Sequence, residues 1–300
     1  MSAAPRPTVG VYVVTLNRAG ALRRCLESIR AQTHAPAELL VVDNGSTDGT
    51  LDLVRSEFPE ASLVELQANV GCPKARNLAA EQASADVLLF VDDDSVLAPN
   101  AVERAEEAAV GDERIAVFAP RIIEVREGRR WALLDGPPRD LARFIGQCAI
   151  RRSLIPENGL YPVEFLYYGE EQALALQLIE RGLRIVYDPS IVVHHFPESV
   201  GRKAALEMGW SVQNPLSVKW RLFPYRYAIP STVRTLALLL PWAIKTHTVR
   251  AYLRGVAGLP RVIRAAVRNR SPVSPPAWRR YRELRAVEGR PVLLDDRPRG

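Results

Sequence analysis

The strongest constraint on this chain is a run of five apolar residues, Val87-Leu88-Leu89-Phe90-Val91, that stops abruptly on Asp92-Asp93-Asp94. A near-continuous apolar run rich in β-formers is the pattern of a strand covered on both faces, and such strands belong to parallel sheets wrapped by helices. Successive strand side chains point to opposite faces, so the alternation predicts Asp92 and Asp94 on one face and Asp93 on the other. Two carboxylates converging at a strand end repel each other unless a cation lies between them, and hard oxygen ligands suit Mg2+ or Mn2+. A solvated acidic turn ahead of Pro99 is the competing reading, and the rest of the chain has to decide between them.

Upstream, the pattern alternates. Val9 to Leu16 predicts a buried strand, and Asn17 caps a helix whose Leu22, Leu26 and Ile29 fall at helical spacing. Glu38 to Val42 is a second strand ending at Asp43-Asn44-Gly45-Ser46, with a short helix from Thr50 to Phe58. Ser62 to Leu66 is a third strand, and Pro73 opens a helix at the position where helices tolerate proline. A helix from about Asn100 to Ala109 follows the acidic strand. Strand and helix in alternation predict a parallel sheet with helices on both faces, and ligands collect at the carboxyl ends of such strands. Thr15-Leu16-Asn17, Asp43 to Ser46 and Asp92 to Asp94 all fall at those ends, which favours a site over a solvated turn.

Further strands are predicted at Ile115 to Ala119, Ile122 to Val125, Phe144 to Ile150, Ile185 to Tyr187 and Ile191 to His195. Gly128 to Arg143 is weakly patterned. Glu170 and Glu171 open a helix carrying Leu174, Leu178 and Ile179, which Gly182 ends. Residues 1–200 are therefore expected to form one α/β domain, with a binding half at about 8–95 and a second half at about 96–200. Residues 201–290 follow as a helical extension, and 291–300 as a disordered tail containing Arg290, Pro291, Asp295, Asp296 and Pro298.

Charge separates the two parts: residues 1–200 hold 20 Lys and Arg against 29 Asp and Glu, whereas residues 201–300 hold 20 against 5. Thr235 to Ile244 is the longest apolar run, shorter than the ~20 residues that span a bilayer, with Trp242 within it and Arg234, Lys245, Arg250 and Arg254 around it. That pattern suits either an interfacial amphipathic helix or a helix packed on the first domain. The three scattered cysteines predict a reducing compartment without disulfides, and Met1 to Pro7 lacks the apolar stretch of a secretory signal. The expected location is the cytoplasm, with peripheral contact on the inner membrane face.

Six motifs stand in order along the chain: TLNR at 15–18, VVDNGSTDGT at 41–50, NVGCPKARN at 69–77, FVDDD at 90–94, GEEQAL at 169–174 and HHFPES at 194–199. This ordered set resembles the inverting glycosyltransferases of family 2, whose fold is GT-A, a Rossmann-like, mostly parallel sheet flanked by helices. The resemblance covers about Val9 to Ser199, and the His-to-Ser pattern is nearest to bacterial rhamnosyl- and galactofuranosyl-transferases. It implies transfer of a sugar from a nucleotide-diphosphate sugar to a glycan, glycolipid or other hydroxyl acceptor with inversion, in cell-surface polysaccharide or glycolipid assembly.

The resemblance also implies roles for particular residues. Asp43 matches the family's base-reading acid, and its carboxylate suits the imide or amino group of a nucleobase. Thr15, Asn17, Gly45 and Asp48 frame the base and ribose. Asn69 and Gly71 let the backbone approach, and Lys74 and Arg76 meet the diphosphate from a helix's first turns. Asp92, Asp93 and Asp94 face the donor, with Asp92 and Asp94 holding Mg2+ or Mn2+ and His194 as the third ligand. His195 falls on the opposite face of its strand. Glu171 matches the general base, although Glu stands where the family often has Asp, which leaves Glu170 open for the role.

Three rivals are weaker. Nucleotidyltransferases need a Gly-rich phosphate loop near the N-terminus, which VGVYVVTLNRAG lacks. A nucleic-acid-binding role for the basic tail finds no recognition motif, so no nucleic acid is expected. A catalytically silent sugar-nucleotide-binding module is disfavoured by the intact acidic set Asp43, Asp92, Asp94 and Glu171.

Overall fold

The computed structural model describes residues 6–162, 168–198, 204–289 and 291–294. Its first half alternates as the hydrophobic pattern predicts: β1 (Val9–Thr15), α1 (Ala19–Arg30), β2 (Glu38–Asp43), α2 (Thr50–Glu57), β3 (Ser62–Glu65), α3 (Cys72–Gln82) and β4 (Val87–Asp92). These strands lie side by side in the order β3-β2-β1-β4, all parallel. The register sets Thr15 opposite Asp43 and Val14 opposite Asp92. The polar residues that end three strands are thereby brought level at one edge, because parallel neighbours in register finish together.

The second half comprises β5 (Ser95–Leu97), α4 (Ala101–Ala109), β6 (Ile115–Arg126), β7 (Arg129–Ala132), β8 (Arg139–Asp140), β9 (Cys148–Arg151), α5 (Glu170–Glu180) and β10 (Arg184–His195). Here the sheet is mixed: β9 runs antiparallel to both β4 and β6, while β10 runs parallel to β6. Several local expectations are corrected. Ile115–Ala119 and Ile122–Val125 are one strand that continues through Pro120. The two short strands expected after Gly182 are one strand whose register shifts between Asp188 and Val192. The strand expected over Phe144 to Ile150 begins only at Cys148, and the weakly patterned 128–143 segment supplies β7 and β8.

Two apolar layers cover the sheet. Leu22, Leu26 and Ile29 of α1 join Val102 and Ala105 of α4 over Val11, Val13, Leu89 and Val91. On the other face, Ala75 and Ala79 of α3 and Leu174 and Leu178 of α5 cover Tyr12, Leu88 and Phe90. Each such fully buried Leu or Phe is worth about 1.5–3 kcal/mol, so these layers hold the strand ends in place.

The C-terminal part adds α6 (Ala204–Leu222), α7 (Tyr225–Lys245), α8 (Val249–Arg268), α9 (Pro275–Ala286) and β11 (Val292–Leu294). Helix α5 is buried on both sides: Ala173, Leu176 and Ile179 pack against Val218 and Leu222 of α6 and Trp278 and Tyr281 of α9. The extension therefore completes the core beside α5. Its end is not disordered throughout, because Val292–Leu294 pairs antiparallel with β7. Arg290, Asp295, Asp296 and Pro298 lie outside the described residues, as does Ser199 of the HHFPES motif.

Candidate active site

The base-reading edge is built from loops that lock one another. Asp43 is buried, and its Oδ2 accepts hydrogen bonds from the N–H groups of Ser46 (2.8 Å) and Gly45 (3.2 Å), while its Oδ1 has no hydrogen-bond partner. Asn17 adopts φ +53° and accepts the Thr47 N–H at 2.7 Å, and its own N–H donates to Ser46 Oγ at 2.8 Å. Asn44 bonds Asn69 Oδ1 and accepts the Val70 N–H, and Asn69 accepts the Gly71 N–H. Gly45 has φ +89°, and a Cβ there would lie 2.8 Å from the Ala68 backbone, so only glycine fits. Asp48 accepts from Thr50 and Ala19 at the starts of α2 and α1, and its carboxylate is spent on those helix ends. Lys74 is exposed in the first turn of α3.

The acidic triplet departs from simple alternation because β4 ends at Asp92 and the next two residues turn. Asp92 Oδ1 pairs with Arg76 Nη2 at 2.6 Å. Arg76 is buried over the Phe90 ring, against the backbone of Gly146. Arg18 Nη1 bridges Asp93 (2.8 Å) and Asp94 (2.9 Å), and its Nη2 donates to Glu198 O at 2.7 Å. Asp93 also accepts from Thr15 Oγ1 at 2.9 Å, so both of its oxygens are used within the protein. Burial pushes the Asp93 carboxyl up to about 6, with Arg18 opposing and Asp94 reinforcing the shift.

Asp92, Asp94 and His195 do converge, with one ligand atom of each within 4.8 Å of the others. Ligands about 2.0–2.2 Å from one ion are separated by about 4.4 Å at most, so the two carboxylates and the imidazole stand close to the spacing a shared Mg2+ or Mn2+ needs, and a small side-chain adjustment would bring them to it. His194 is not in this group, which corrects the expected third ligand. On β10, Ile191 and Val193 are buried under α1 and α4, and His195 continues their face. His195 Nε2 lies 3.2 Å from Asp94 Oδ1. His194 occupies the other face, where burial and then Arg130 lower its pKa. His195 shifts upward, because burial is outweighed by its bond to Asp94 and the charges of Asp92, Asp94 and Glu124.

Glu170 and Glu171 begin α5 beside Arg76. Glu170 is buried with Oε2 unpartnered, and burial together with the Glu171 charge pushes its carboxyl up to about 8. Glu171 is raised mainly by burial, opposed by Arg76 and by the N–H of Gly146. The two titrate as a pair, both raised by burial, with Arg76 the chief group opposing that shift at Glu171. Tyr161, whose backbone is clamped by Asn77, adds a buried hydroxyl without a hydrogen-bond partner near Arg76 and Glu171. The sequence assigned no role to Arg18 or Tyr161. Arg18 stands in the TLNR motif next to Asn17, and three consecutive acids needing cations were the available signal.

The glycosyl transferase family 2 profile matches residues 10–163. An N-acetylglucosaminyltransferase of Mesorhizobium japonicum is 28% identical over 242 residues, covering 70% of this chain and 56% of that protein. An N-acetylglucosaminyl-diphospho-decaprenol L-rhamnosyltransferase of Mycobacterium tuberculosis is 25% identical over 240 residues, covering 65% of this chain and 78% of that protein. The chain thus spans about half the length of the first curated relatives it matches. Among solved structures, GalNAc-T7 with UDP, GalNAc and Mn2+ superposes with a TM-score of 0.61 at 19% identity, covering 74% of this chain and 49% of that one, a likeness of fold.

Proposed function

Because the chain belongs to glycosyl transferase family 2, we propose that it moves a sugar from a nucleoside-diphosphate sugar to an acceptor hydroxyl, with inversion at the anomeric carbon. One observation carries the reading. The unpartnered Asp43 Oδ1, the Asp92–Asp94–His195 group and the Glu170–Glu171 pair, whose ionisation is tuned by burial, gather around the carboxyl ends of β1, β2 and β4. A base, a diphosphate and an attacking hydroxyl each find a different partner there.

Asp43 Oδ1 accepts from the nucleobase, while the turn at Gly45 and the Gly71 backbone held by Asn69 shape the pocket for base and ribose. Asp92, Asp94 and His195 would hold Mg2+ or Mn2+, which supplies positive charge to the departing nucleoside diphosphate. Arg18 and Arg76 hold the carboxylates in their rotamers through the contacts described above. Glu171, whose charged form Arg76 favours, takes the proton of the acceptor hydroxyl as it attacks the anomeric carbon, beside Glu170, whose carboxyl is pushed up to about 8. The acceptor is a glycan or glycolipid of cell-surface assembly, in line with the lipid-diphosphate acceptor in the mycobacterial relative's name.

The test incubates the protein with UDP-, dTDP- and GDP-sugars and Mn2+, first by thermal shift and then with acceptor panels. The anomeric configuration of the product is read by NMR. A product that retains the donor's anomeric configuration, or hydrolysis of a nucleotide with no sugar transfer to any acceptor, overturns the proposal.

A further inference from the structure

From Met208 to Arg282 the chain carries fourteen Lys and Arg and no Asp or Glu. Within that stretch, Arg250, Arg254, Arg261, Arg264 and Arg268 of α8 are all exposed. At about 100° per residue they fall within about 40° of one line along the helix, and at 1.5 Å per residue they extend over about 27 Å. None of them has a carboxylate within salt-bridge distance among the described residues. The opposite face of α8 is fixed, with Tyr252 and Leu259 buried among α6 and α7 and Gly255 against Val212. The arginine row is therefore held rigidly toward solvent.

Helix α7 presents a complementary surface. Ile229, Val233, Leu240 and Ile244 fall within about 60° of one another on one face, at 55%, 66%, 39% and 59% exposure, and Leu238 at 65% and Trp242 at 41% are exposed on another side of the helix. Patches of this kind on a soluble domain mark interaction sites. By length and composition α7 is able to cross a bilayer. It is nevertheless tied to its neighbours along its length: Trp220 donates to Thr232, Lys219 to Thr235 and Tyr252 to the Leu236 carbonyl, and Arg234 is exposed near its middle. Near its start, a cavity of about 390 Å3 is lined by Arg226, Tyr227, Trp278, Arg279 and Arg282 together with Pro275 and Glu283.

We propose that α7 and α8 dock in the plane of an anionic lipid bilayer, with the arginine row on the headgroup phosphates and the α7 apolar residues at the acyl boundary. Clustered cations without acids attract anionic headgroups, and a row of exposed aliphatic residues suits the interface. A nucleic acid would satisfy the arginines but leave the α7 face exposed. A second copy of the chain would set two acid-free cationic surfaces against each other.

The experiment is flotation of the full chain with vesicles of 30% phosphatidylglycerol in phosphatidylcholine, against pure phosphatidylcholine, at low and high salt. Expected are binding to the anionic vesicles only, loss at high salt, and release by alkaline carbonate. The triple variant Arg254→Gln/Arg261→Gln/Arg264→Gln should bind about a hundredfold more weakly. Because those side chains are exposed, its melting temperature should match the wild type. Val233→Ser/Leu240→Ser should also weaken binding, which pure charge attraction does not predict. No flotation at low salt, equal binding to neutral vesicles, resistance to carbonate, or salt-sensitive binding of duplex DNA with none to vesicles would each overturn the proposal.

Discussion

His195 Nε2 stands 3.2 Å from Asp94 Oδ1, whereas its neighbour His194 faces away from the acidic group. Adjacent strand residues give opposite outcomes here, so paired substitutions can separate the two. His195→Ala and Asp94→Ala should abolish both transfer and stabilisation by Mn2+, with excess EDTA reproducing the loss of activity in the wild type. His194→Ala should keep both. Mn2+ titration followed by electron paramagnetic resonance checks the binding, and full Mn2+ affinity in His195→Ala would refute the ligand assignment.

Burial raises the Glu171 carboxyl, and Arg76 is the chief group opposing that shift. Glu171→Gln is expected to lower turnover by roughly 10²–10⁴-fold with donor affinity little changed, the range for losing a general base. Glu170→Gln should cost far less. Single-turnover kinetics with calorimetric donor binding measures both, and the reverse ranking would move the base to Glu170.

The raised Glu170 pKa also predicts a pH dependence of stability. Its folded value is about 8, above the ordinary carboxyl value of ~4.3, so between these values the native state holds a proton that the unfolded chain has released. Stability from this group is fully present at low pH and is lost as pH rises toward 8. Glu170→Gln removes the ionisation, so its melting temperature should exceed the wild type's at pH 8.5, with the gap narrowing toward pH 4.5. A pH-independent gap would contradict the burial argument.

A Cβ at Gly146 would fall 1.8 Å from Arg76 Nη1. Gly146→Ala should therefore displace Arg76 from Asp92, lowering turnover while leaving the secondary structure intact. Circular dichroism and steady-state kinetics check this, and unchanged turnover would show that the Arg76–Asp92 pair is dispensable.

Asp43 leaves Oδ1 unpartnered while Oδ2 holds the Gly45–Ser46 turn. Asp43→Asn substitutes a donor or a neutral acceptor at that position, and donor affinity should fall about tenfold or more, consistent with loss of a hydrogen bond to a charged acceptor. Equal affinity for the free nucleoside diphosphate in wild type and variant would remove Asp43 from base reading.

Much of the site is written in local pattern. Apolar runs broken by polar residues at Thr15, Asp43 and Asp92 set three strand ends, and a parallel register brings such ends level whatever the rest of the chain does. Glu170 and Glu171 at the start of a helix were equally legible, because capping and apolar spacing act within one turn. Other features depend on neighbours distant in sequence. Which histidine meets Asp94 follows from the register shift between Asp188 and Val192, which sets the phase in which β10 arrives at β5. Arg18 reaches Asp93 and Asp94 only because α1 packs across the end of β4, and the full length of α7, through Pro230 and Pro241, exists only because α6 and α8 hold one of its faces. Strand periodicity and helix spacing act between near neighbours and are visible in the sequence. The phase of a bulged strand and the pairing of buried charges are decided by long-range packing, which only the tertiary structure contains.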